Sequence, residues 1–362
     1  MRRVGILGGG QLARMIALAG HPLGVHCRVL DPGERPPAAD VADHVRGALD
    51  DADALARLAD GVEVVTYETE NVEPILAQRL GRDVAMRPHP RALATSSDRL
   101  DEKRFLRDLG ISTAPFVAVE TVGDLDRACA ALHLPLVLKT RRHGYDGRGQ
   151  VVATTLREAH AAWATLGQRG LIAEGFVRFD RELSIVAVRS TTGEIRSYPV
   201  VENRHRDGIL LWTIAPAPCL DLRTQQVAET IVERILGALE YVGVLTVELF
   251  QCGDDLVVNE IAPRVHNSGH WTIEGAATSQ FENHLRAILS LPLGSTAALG
   301  ATVSMNLLGE TPQIDGILAL PDTHLHLYGK TPRPRRKIGH VTTRVGNPAE
   351  AAQRLEILTR LG

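Results

Sequence analysis

The chain opens with a short apolar run that ends at three consecutive glycines. Residues 4–7 are apolar, Gly8-Gly9-Gly10 follows, and residues 11–19 have the apolar spacing of a helix. A strand, a glycine turn and a helix in this order are typical of the first unit of a parallel sheet. The alternation continues over residues 25–30, 51–58, 62–67, 72–80 and 84–86. We therefore expect an α/β domain over residues 1–95, with a site at the carboxyl ends of its strands.

The glycine turn also satisfies the pattern Gly-x-Gly-x-x-Ala of dinucleotide-binding proteins. Gly8, Gly10 and Ala13 occupy its positions, and Asp31 ends the next predicted strand. Such glycines let the backbone approach a phosphate at a helix N-terminus, and the carboxylate could accept hydrogen bonds from ribose hydroxyls. An NAD-dependent dehydrogenase is therefore one hypothesis. A different ligand or tight packing is favoured, because any such sheet requires glycines in its first turn.

After residue 95 the pattern predicts antiparallel strands. Ser97 or Asp98 could cap a helix that ends before Gly110, and a long amphipathic helix is predicted over residues 225–239. These features indicate an α+β domain over residues 96–292 and a small β-rich domain over residues 293–362 that ends in a helix. Strands are predicted over residues 136–139, 150–153, 183–188, 195–201, 245–250, 256–260, 302–307, 324–328 and 340–345.

A second glycine-rich segment lies between two predicted strands. Gly144-Tyr145-Asp146-Gly147-Arg148-Gly149-Gln150 holds three glycines in six residues, as in a hairpin whose backbone amides can close over phosphate oxygens. It is not a Walker loop, since no Gly-Lys-Ser/Thr follows. Lys139, on the strand before it, could place a positive charge on the same phosphate. A merely flexible turn is the alternative.

Two glutamates are predicted to lie side by side on neighbouring strands. The turn Gly253-Asp254-Asp255 folds the strand of Glu260 back beside that of Glu248. Two carboxylates in otherwise apolar strands repel each other unless cations neutralise them, and Mg²⁺ prefers such oxygen ligands. The pair therefore indicates a magnesium site, although polar faces of two strands are the simpler alternative.

Cationic and amide side chains follow directly. Arg264, His266 and Asn267 combine a planar cation, a titratable ring and an amide, which suits a small planar anion beside the metals.

Farther on, residues 330–337 hold five cations, and two prolines stiffen this run. A site for one phosphate and a solvated or nucleic-acid-binding face are both consistent with that run.

Composition excludes several other classes of protein. The formal charge of −3 and the aromatic content of 4% argue against a nucleic-acid partner. No apolar stretch is long enough for a membrane span, and Gly8–Gly10 with Arg14 interrupts the only stretch that faintly resembles a signal peptide. Four widely spaced cysteines favour neither disulfides nor a zinc site, so we expect a cytoplasmic protein.

Taken together, these motifs resemble the ATP-grasp superfamily. The motifs are Lys139, residues 144–150, Glu248, Asn259-Glu260 and the segment Ala-Pro-Arg-Val-His-Asn-Ser-Gly-His-Trp at residues 262–271. Within this superfamily, the resemblance is to the N5-carboxyaminoimidazole ribonucleotide synthetases and covers essentially the whole chain. It implies a Rossmann-like N-terminal domain, an ATP-grasp domain with a lid subdomain at about 112–172, and a small C-terminal domain. It also implies that ATP phosphorylates bicarbonate to carboxyphosphate and that the amine of aminoimidazole ribonucleotide captures the carboxyl group.

The resemblance implies a role for individual residues as well. Tyr145, Asp146 and Arg148 would face the amine and bicarbonate, with Arg264, His266 and Asn267 opposite. Two Mg²⁺ ions would be held by Glu248 and Glu260. Gln11, Leu12 and Glu70 would contact the ribonucleotide, and Lys330 and Arg336 its 5′-phosphate. ATP would be held by Arg99, Lys139, Gly144, Tyr145, Asp146, Gly147, Arg148, Gly149, Gln150, Glu174, Gly175, Phe176, Val177, Glu182, His205, Asn259 and Glu260.

Other readings of the same residues stay open. A related carboxylate-amine ligase, such as a formate-dependent glycinamide ribonucleotide transformylase, is the nearest alternative, and a nucleotide sensor without catalysis is a weaker one. His143 and Trp212 depart from the usual family pattern but remove no functional group. A homodimer is expected from the resemblance only.

Overall fold

The structure is a computed structural model that describes residues 2–144, 147–310 and 312–362. The strands of these residues form three sheets. No helix among them is both long and apolar enough to span a membrane.

The N-terminal sheet has five parallel strands in the order β3-β2-β1-β4-β5. Every residue of its strand Val64–Tyr67 is buried, as expected where helices cover both faces of a sheet. The prediction of a parallel α/β sheet is confirmed. Its elements are β1 (Arg2–Leu7), α1 (Gln11–Gly20), β2 (Val25–Asp31), β3 (Asp43–Arg46), α2 (Ala52–Ala59), β4 (Val64–Tyr67), α3 (Pro74–Leu80), β5 (Ala85–Met86) and α4 (Pro90–Ser96).

A four-stranded antiparallel sheet follows, in the order β6-β9-β7-β8. The glycine-rich segment connects β7 to β8, as the sequence predicted. The helix before this sheet begins after Asp98, whose carboxylate accepts a hydrogen bond from the backbone of Leu100. The elements are α5 (Arg99–Asp108), β6 (Phe116–Val119), α6 (Val122–Leu132), β7 (Leu136–Thr140), β8 (Gln150–Ala153), α7 (Leu156–Leu166) and β9 (Leu171–Gly175).

The third sheet has nine strands, and its pairs are antiparallel. The pairing of β13 with β16 joins the central and C-terminal strands into one sheet, so this sheet crosses the domain boundary expected at residue 293. The elements are β10 (Arg181–Arg189), β11 (Ile195–Ser197), β12 (Val201–Arg206), β13 (Ile209–Ala215), α8 (Leu222–Ala238), β14 (Gly243–Cys252), β15 (Asp255–Ala262), α9 (Thr272–Gly275), α10 (Gln280–Ile288), β16 (Ala301–Leu308), α11 (Ile314–Leu318), β17 (Thr323–Leu327), β18 (Lys337–Val345) and α12 (Pro348–Leu361).

The single strand predicted over residues 195–201 is wrong. Residues 195–197 and 201–203 both pair with β10, but the register shifts by one residue between them. Tyr198 is buried there and donates its hydroxyl to the carbonyl of Thr278, while Pro199 has no N–H for a ladder bond. The helix predicted over residues 225–239 begins earlier, at Leu222, because Asp221 caps its N-terminus.

A buried histidine joins the N-terminal domain to the nine-stranded sheet. His284 Nε2 lies 2.8 Å from Thr66 Oγ1, and the backbone N–H of Val244 donates to His284 Nδ1 over 3.1 Å. Burial lowers the pKa of His284 to about 4. The unfolded chain therefore binds a proton at this position near pH 6.5, whereas the folded protein does not.

This difference predicts acid sensitivity. The contribution of His284 to stability is complete above pH 6.5 and is lost as the pH falls toward 4. Between pH 7 and 5 the loss is roughly 2 kcal/mol. The His284→Asn variant lacks this ionisation. Between pH 7 and 5, its free energy of unfolding, measured by denaturant titration, should therefore fall by roughly 2 kcal/mol less than that of the unsubstituted protein. His21→Asn, at an exposed histidine, is the control and should keep the full fall. Equal falls in all three proteins would contradict the prediction.

Candidate active site

A cavity of about 760 Å³ lies where the three sheets meet. It brings together most of the residues that the sequence predicted to bind ligands, from every part of the chain. Arg148, Gly149, Lys330 and Arg336 do not line it, and Tyr145 and Asp146 lie outside the described residues. The predicted residues that line it are Gln11, Leu12, Glu70, Arg99, Lys139, Gly144, Gly147, Gln150, Glu174, Gly175, Phe176, Val177, Glu182, His205, Glu248, Asn259, Glu260, Arg264, His266 and Asn267.

Glu248 and Glu260 are directly opposite each other on β14 and β15, as predicted. Arg99 donates to Glu260 over 2.9 Å. Burial alone would raise the pKa of Glu260, but the Arg99 charge outweighs it and the pKa is lowered. Burial and the neighbouring Glu260 charge both raise the pKa of Glu248. The pair therefore holds one stable negative charge and a second that requires another cation nearby.

These oxygens fit Mg²⁺ only in part. Among the described residues, no three His, Cys, Asp or Glu side chains are grouped so that they could hold a metal ion by themselves. Mg²⁺ commonly takes one or two carboxylates from the protein and its other ligands from water and phosphate oxygens. Glu248 and Glu260 therefore fit magnesium that arrives with a phosphate ligand.

Lys139 is buried and paired within the protein. Its ammonium donates to Glu174 Oε2 over 2.9 Å, and the ammonium of Lys103 lies 3.7 Å from the same oxygen. Lys103 also donates to the carbonyl of Asn259 over 2.8 Å, which ties α5 and β9 to the strand of Glu260. The other oxygen of Glu174 is buried and has no hydrogen-bond partner among the described residues. Sequence reasoning missed Lys103, because a lysine in a helix is normally exposed.

The glycine-rich segment is held closely on both sides. A Cβ on Gly147 would lie 2.3 Å from the carbonyl oxygen of Asp207, and one on Gly149 would lie 2.4 Å from Thr140 Oγ1. Both residues have positive φ, as does His143 with φ 59°. Gly147 and Gly149 are therefore closely packed, and a glycine at position 143 would suit the same backbone.

The N-terminal glycine turn does not leave the backbone N–H groups of Gly9 and Gly10 open to a phosphate, which agrees with the favoured alternative of tight packing. The backbone N–H groups of Gly10 and Ala13 both donate to the carboxylate of Glu68, and that of Gly9 donates to Asp31. A Cβ on Gly10 would lie 2.5 Å from a Glu68 oxygen, so the glycines make room for this carboxylate. Asp31 is likewise engaged and not free to bind a ribose. The residues that suggested a dehydrogenase are thus explained by internal packing.

Glu68 could have been found from the sequence. It follows β4 at the carboxyl edge of the parallel sheet, two residues before Glu70, yet only Glu70 was selected. Glu70 forms an ion pair with Arg264, with 2.8 Å between Oε1 and Nη2. This pair joins the N-terminal domain to the segment after β15. Both glutamates line the cavity, but Glu68 accepts from the first turn of α1 whereas Glu70 pairs with Arg264.

The segment after β15 presents donors to the cavity. Arg264 Nε and Asn267 Nδ2 are buried and have no hydrogen-bond partner among the described residues. Burial, followed by the nearby Arg264 charge, lowers the pKa of His266 well below its usual range. Buried donors without partners are costly unless a ligand or water accepts from them. These donors are consistent with the anion site that the sequence indicates, which stays a prediction.

The basic segment divides into residues near the cavity and residues outside it. Lys330 donates to the side chain of Gln11, which lines the cavity. Arg336 donates to the carbonyl of Thr331 over 3.1 Å. Lys337 lines the cavity although sequence reasoning did not select it. The spacing of cations in a run cannot show which of them point inward, since that depends on the turn before β18.

The cavity is also lined by aromatic rings and by a carboxylate–histidine pair. The rings of Phe179 and Phe250 stack with centroids 4.5 Å apart, and Phe176 is partly exposed beside them. Glu182 accepts from the backbone N–H of His205 over 3.1 Å. An apolar wall next to a carboxylate suits a planar base joined to a sugar. Phe179 and Phe250 were not predicted.

Comparison with known proteins covers the whole chain. Residues 1–97 match the ribonucleotide synthetase preATP-grasp domain, residues 104–281 the ATP-grasp domain, and residues 302–354 the phosphoribosylaminoimidazole carboxylase C-terminal domain. The N5-carboxyaminoimidazole ribonucleotide synthase of Pseudomonas aeruginosa is 47% identical over 353 residues, which is 98% of this chain and 97% of that protein. The chain belongs to the N5-carboxyaminoimidazole ribonucleotide synthase family.

Solved structures of this family agree with the fold. The synthetase from Thermus thermophilus has 51% sequence identity and a TM-score of 0.95, and the match covers 99% of this chain and 98% of that one. The synthase from Aspergillus clavatus in complex with ADP and 5-aminoimidazole ribonucleotide has 32% identity and a TM-score of 0.93, with 99% of each chain covered. The family resemblance and the ATP-grasp fold predicted from the motifs are therefore confirmed.

The opposed carboxylates generate a testable prediction. Replacing Glu260 by Gln removes the charge that opposes ionisation of Glu248, so the pKa of Glu248 should fall toward its ordinary value. It should not reach that value, because burial remains. The measurement is ¹³C NMR titration of protein labelled at glutamate side-chain carboxyls, with the Glu248 signal assigned from Glu248→Gln. Glu233→Gln, at an exposed helix position, should leave the titration unchanged. A Glu248 curve that is the same in Glu260→Gln would contradict the coupling.

Proposed function

We propose that this chain catalyses the ATP-dependent carboxylation of 5-aminoimidazole ribonucleotide with bicarbonate, a step of purine biosynthesis. The products are N5-carboxyaminoimidazole ribonucleotide, ADP and phosphate. The observation that carries the proposal is one cavity that joins the opposed carboxylates, the lysine before the glycine-rich segment and the buried donors Arg264 and Asn267. A family in which a relative binds both ADP and the ribonucleotide supports it.

The base of ATP would lie at the aromatic end of the cavity. Residues 174–177 would meet the adenine through their backbone, and Glu182 would accept from the ribose hydroxyls. Arg99 and Lys139 would face the phosphates, with His205, Asn259 and the backbone of residues 144–150 around them. Support comes from the cavity wall, which includes Arg99, Lys139, Gly144, Gly147, Gln150, His205 and Asn259. The ammonium of Lys139 would exchange Glu174 for a phosphate oxygen.

Glu248 and Glu260 would hold two Mg²⁺ ions together with the phosphates. Magnesium bound there supplies positive charge that offsets the negative charge of the transferring phosphoryl group. The chain's own contribution is to hold the carboxylates in register on adjacent strands and to keep Glu260 ionised through Arg99. Glu260 would supply the permanent negative charge of the pair, because its pKa is the lower of the two.

Bicarbonate and the ribonucleotide would occupy the other end. Carboxyphosphate would form there when bicarbonate takes the γ-phosphoryl group, and attack by the substrate amine would then release phosphate. Arg264, His266 and Asn267 would bind the planar anion from one side. Tyr145, Asp146 and Arg148 would face it from the glycine-rich segment, and Gln11, Leu12 and Glu70 would hold the ribonucleotide.

The same proposal includes the organisation and location of the chain. It places domain boundaries at residues 95 and 292 and a lid subdomain at about 112–172, and it includes a homodimer and a cytoplasmic location. The boundary at residue 95 is supported by the change from parallel to antiparallel strands after β5. The boundary at residue 292 is supported by the separate C-terminal family match over residues 302–354, although the nine-stranded sheet crosses it. The homodimer is supported by family membership only, and the location by the cysteine spacing.

The proposal predicts a strict requirement for three reactants. ADP release should need ATP, bicarbonate and 5-aminoimidazole ribonucleotide, and formate with glycinamide ribonucleotide should not replace the last two. Glu260→Gln should abolish turnover, because one charge that balances the metals is lost. Coupled spectrophotometry of ADP is the measurement, and Glu233→Gln is the matched control. Turnover with formate, or near-normal turnover by Glu260→Gln, would overturn the assignment.

A second prediction concerns the 5′-phosphate. Lys330→Met and Arg336→Ala should each raise the Michaelis constant for the ribonucleotide by roughly 10- to 150-fold, the effect of losing a charged hydrogen-bond partner. The constant for ATP should change little. Arg333→Ala, at an exposed cation of the same segment, should change neither. If Arg336→Ala behaves like Arg333→Ala while Lys330→Met does not, Arg336 has no part in the phosphate site.

A further inference from the structure

The side chain of His266 ends a chain of buried hydrogen bonds across the nine-stranded sheet. Thr213 Oγ1 donates to Asn203 Oδ1 over 2.8 Å, and Asn203 Nδ2 donates to Ser184 Oγ over 2.9 Å. Ser184 Oγ donates to Ser268 Oγ over 2.8 Å, and Ser268 Oγ lies 2.9 Å from His266 Nδ1. The four linking side chains are at most 3% exposed, so water does not compete for these bonds.

The backbone decides the direction of the last bond. The N–H of Ser268 points at His266 Nδ1 over 3.3 Å. A backbone N–H can only donate, so Nδ1 must be the acceptor. A ring that accepts at Nδ1 is neutral and carries its proton on Nε2. This assignment does not depend on the orientation of any hydroxyl group.

The opposite side of the ring faces a carboxylate. His266 Nε2 lies 3.5 Å from a carboxylate oxygen of Glu248. The backbone of His266 is also fixed, because the side chain of Gln280 accepts from its N–H over 3.0 Å and donates to its carbonyl over 2.6 Å. Ring orientation and tautomer are then the remaining variables.

We propose that Thr213, Asn203, Ser184 and Ser268 hold His266 in the Nε2–H tautomer, so that the ring offers the cavity a hydrogen-bond donor and no basic nitrogen. The four are positioning residues, since none of them lines the cavity. The ligand that accepts from Nε2 is a carboxylate or bicarbonate oxygen. That identity rests on the proposed function, but the tautomer does not.

The polarity of the chain follows from the backbone N–H of Ser268, which makes His266 Nδ1 an acceptor. The hydroxyl of Ser268 then donates to Nδ1, and Ser184 and Asn203 Nδ2 donate in turn toward His266. Thr213 lies opposite Asn203 on the neighbouring strand, and its hydroxyl donates to the remaining amide oxygen Oδ1. Without the Thr213 hydroxyl, the amide can reverse, and Ser184 would then donate to Asn203 instead of Ser268.

The direct test is ¹⁵N NMR of histidine-labelled protein at neutral pH without ligands. The chemical shift of a ring nitrogen distinguishes one that carries a proton from one that does not. The His266 signals are assigned by their loss in His266→Gln. We expect an unprotonated Nδ1 and a protonated Nε2. A protonated Nδ1 would overturn the proposal whatever reaction the enzyme catalyses.

Two matched substitutions test the positioning residues. Thr213→Val removes the first donor of the chain. Thr342→Val makes the same change at another fully buried strand threonine, whose hydroxyl has no hydrogen-bond partner among the described residues. We expect Thr213→Val to shift both His266 nitrogens toward a mixture of tautomers and to lower kcat about two- to tenfold. The Michaelis constant for ATP should be unchanged, and Thr213→Ser should restore kcat.

Thr342→Val should change neither the nitrogen signals nor kcat. If Thr213→Val does not fold, Asn203→Asp serves instead, because a carboxylate cannot donate to Ser184 and should produce the same shift. Nitrogen signals of Thr213→Val or Asn203→Asp that match those of Thr342→Val would overturn the positioning role. If the protein shows the expected nitrogen signals but turns over a different substrate, the proposed function is contradicted and the tautomer is not.

Discussion

Two carboxylates placed opposite each other in a buried sheet are the constraint on which the cavity depends. Glu248 and Glu260 cannot both ionise there without cations, and the protein supplies only part of that charge, through Arg99. The requirement explains why cationic groups converge on one place from distant parts of the chain. In the proposed reaction, Mg²⁺ that arrives with the phosphates would supply the rest of that charge.

Short-range sequence patterns predicted what depends on neighbouring residues. The parallel sheet of the first domain, though not its strand order, was predicted from alternating apolar runs, and the pairing of Glu248 with Glu260 was predicted from a turn of three residues. The strand over residues 195–201 failed because nothing in its period reveals that Tyr198 turns into the core. Lys103 and the partners of His266 were missed because their burial depends on strands far away in sequence.

The glycine turn at residues 8–10 shows how one motif can indicate the wrong ligand. Its composition fits a phosphate as well as it fits any anion at a helix N-terminus. The anion in this protein is Glu68, which belongs to the chain itself. A motif that describes room for a negative charge does not say whose charge it is, and only the fold brings β4 close enough to decide.

Other charged side chains around the cavity are also paired with groups of the protein itself. Lys139 is paired with Glu174, Arg264 with Glu70, and Lys330 with Gln11. A buried charge left alone is costly, so each group needs a partner before ligands arrive. In the proposed function, ligand binding would exchange one partner for another, and the gain would be the difference between the two. Selectivity would follow, because an anion with the wrong charge or shape cannot replace every internal partner together, and the groups that it leaves unpaired oppose its binding.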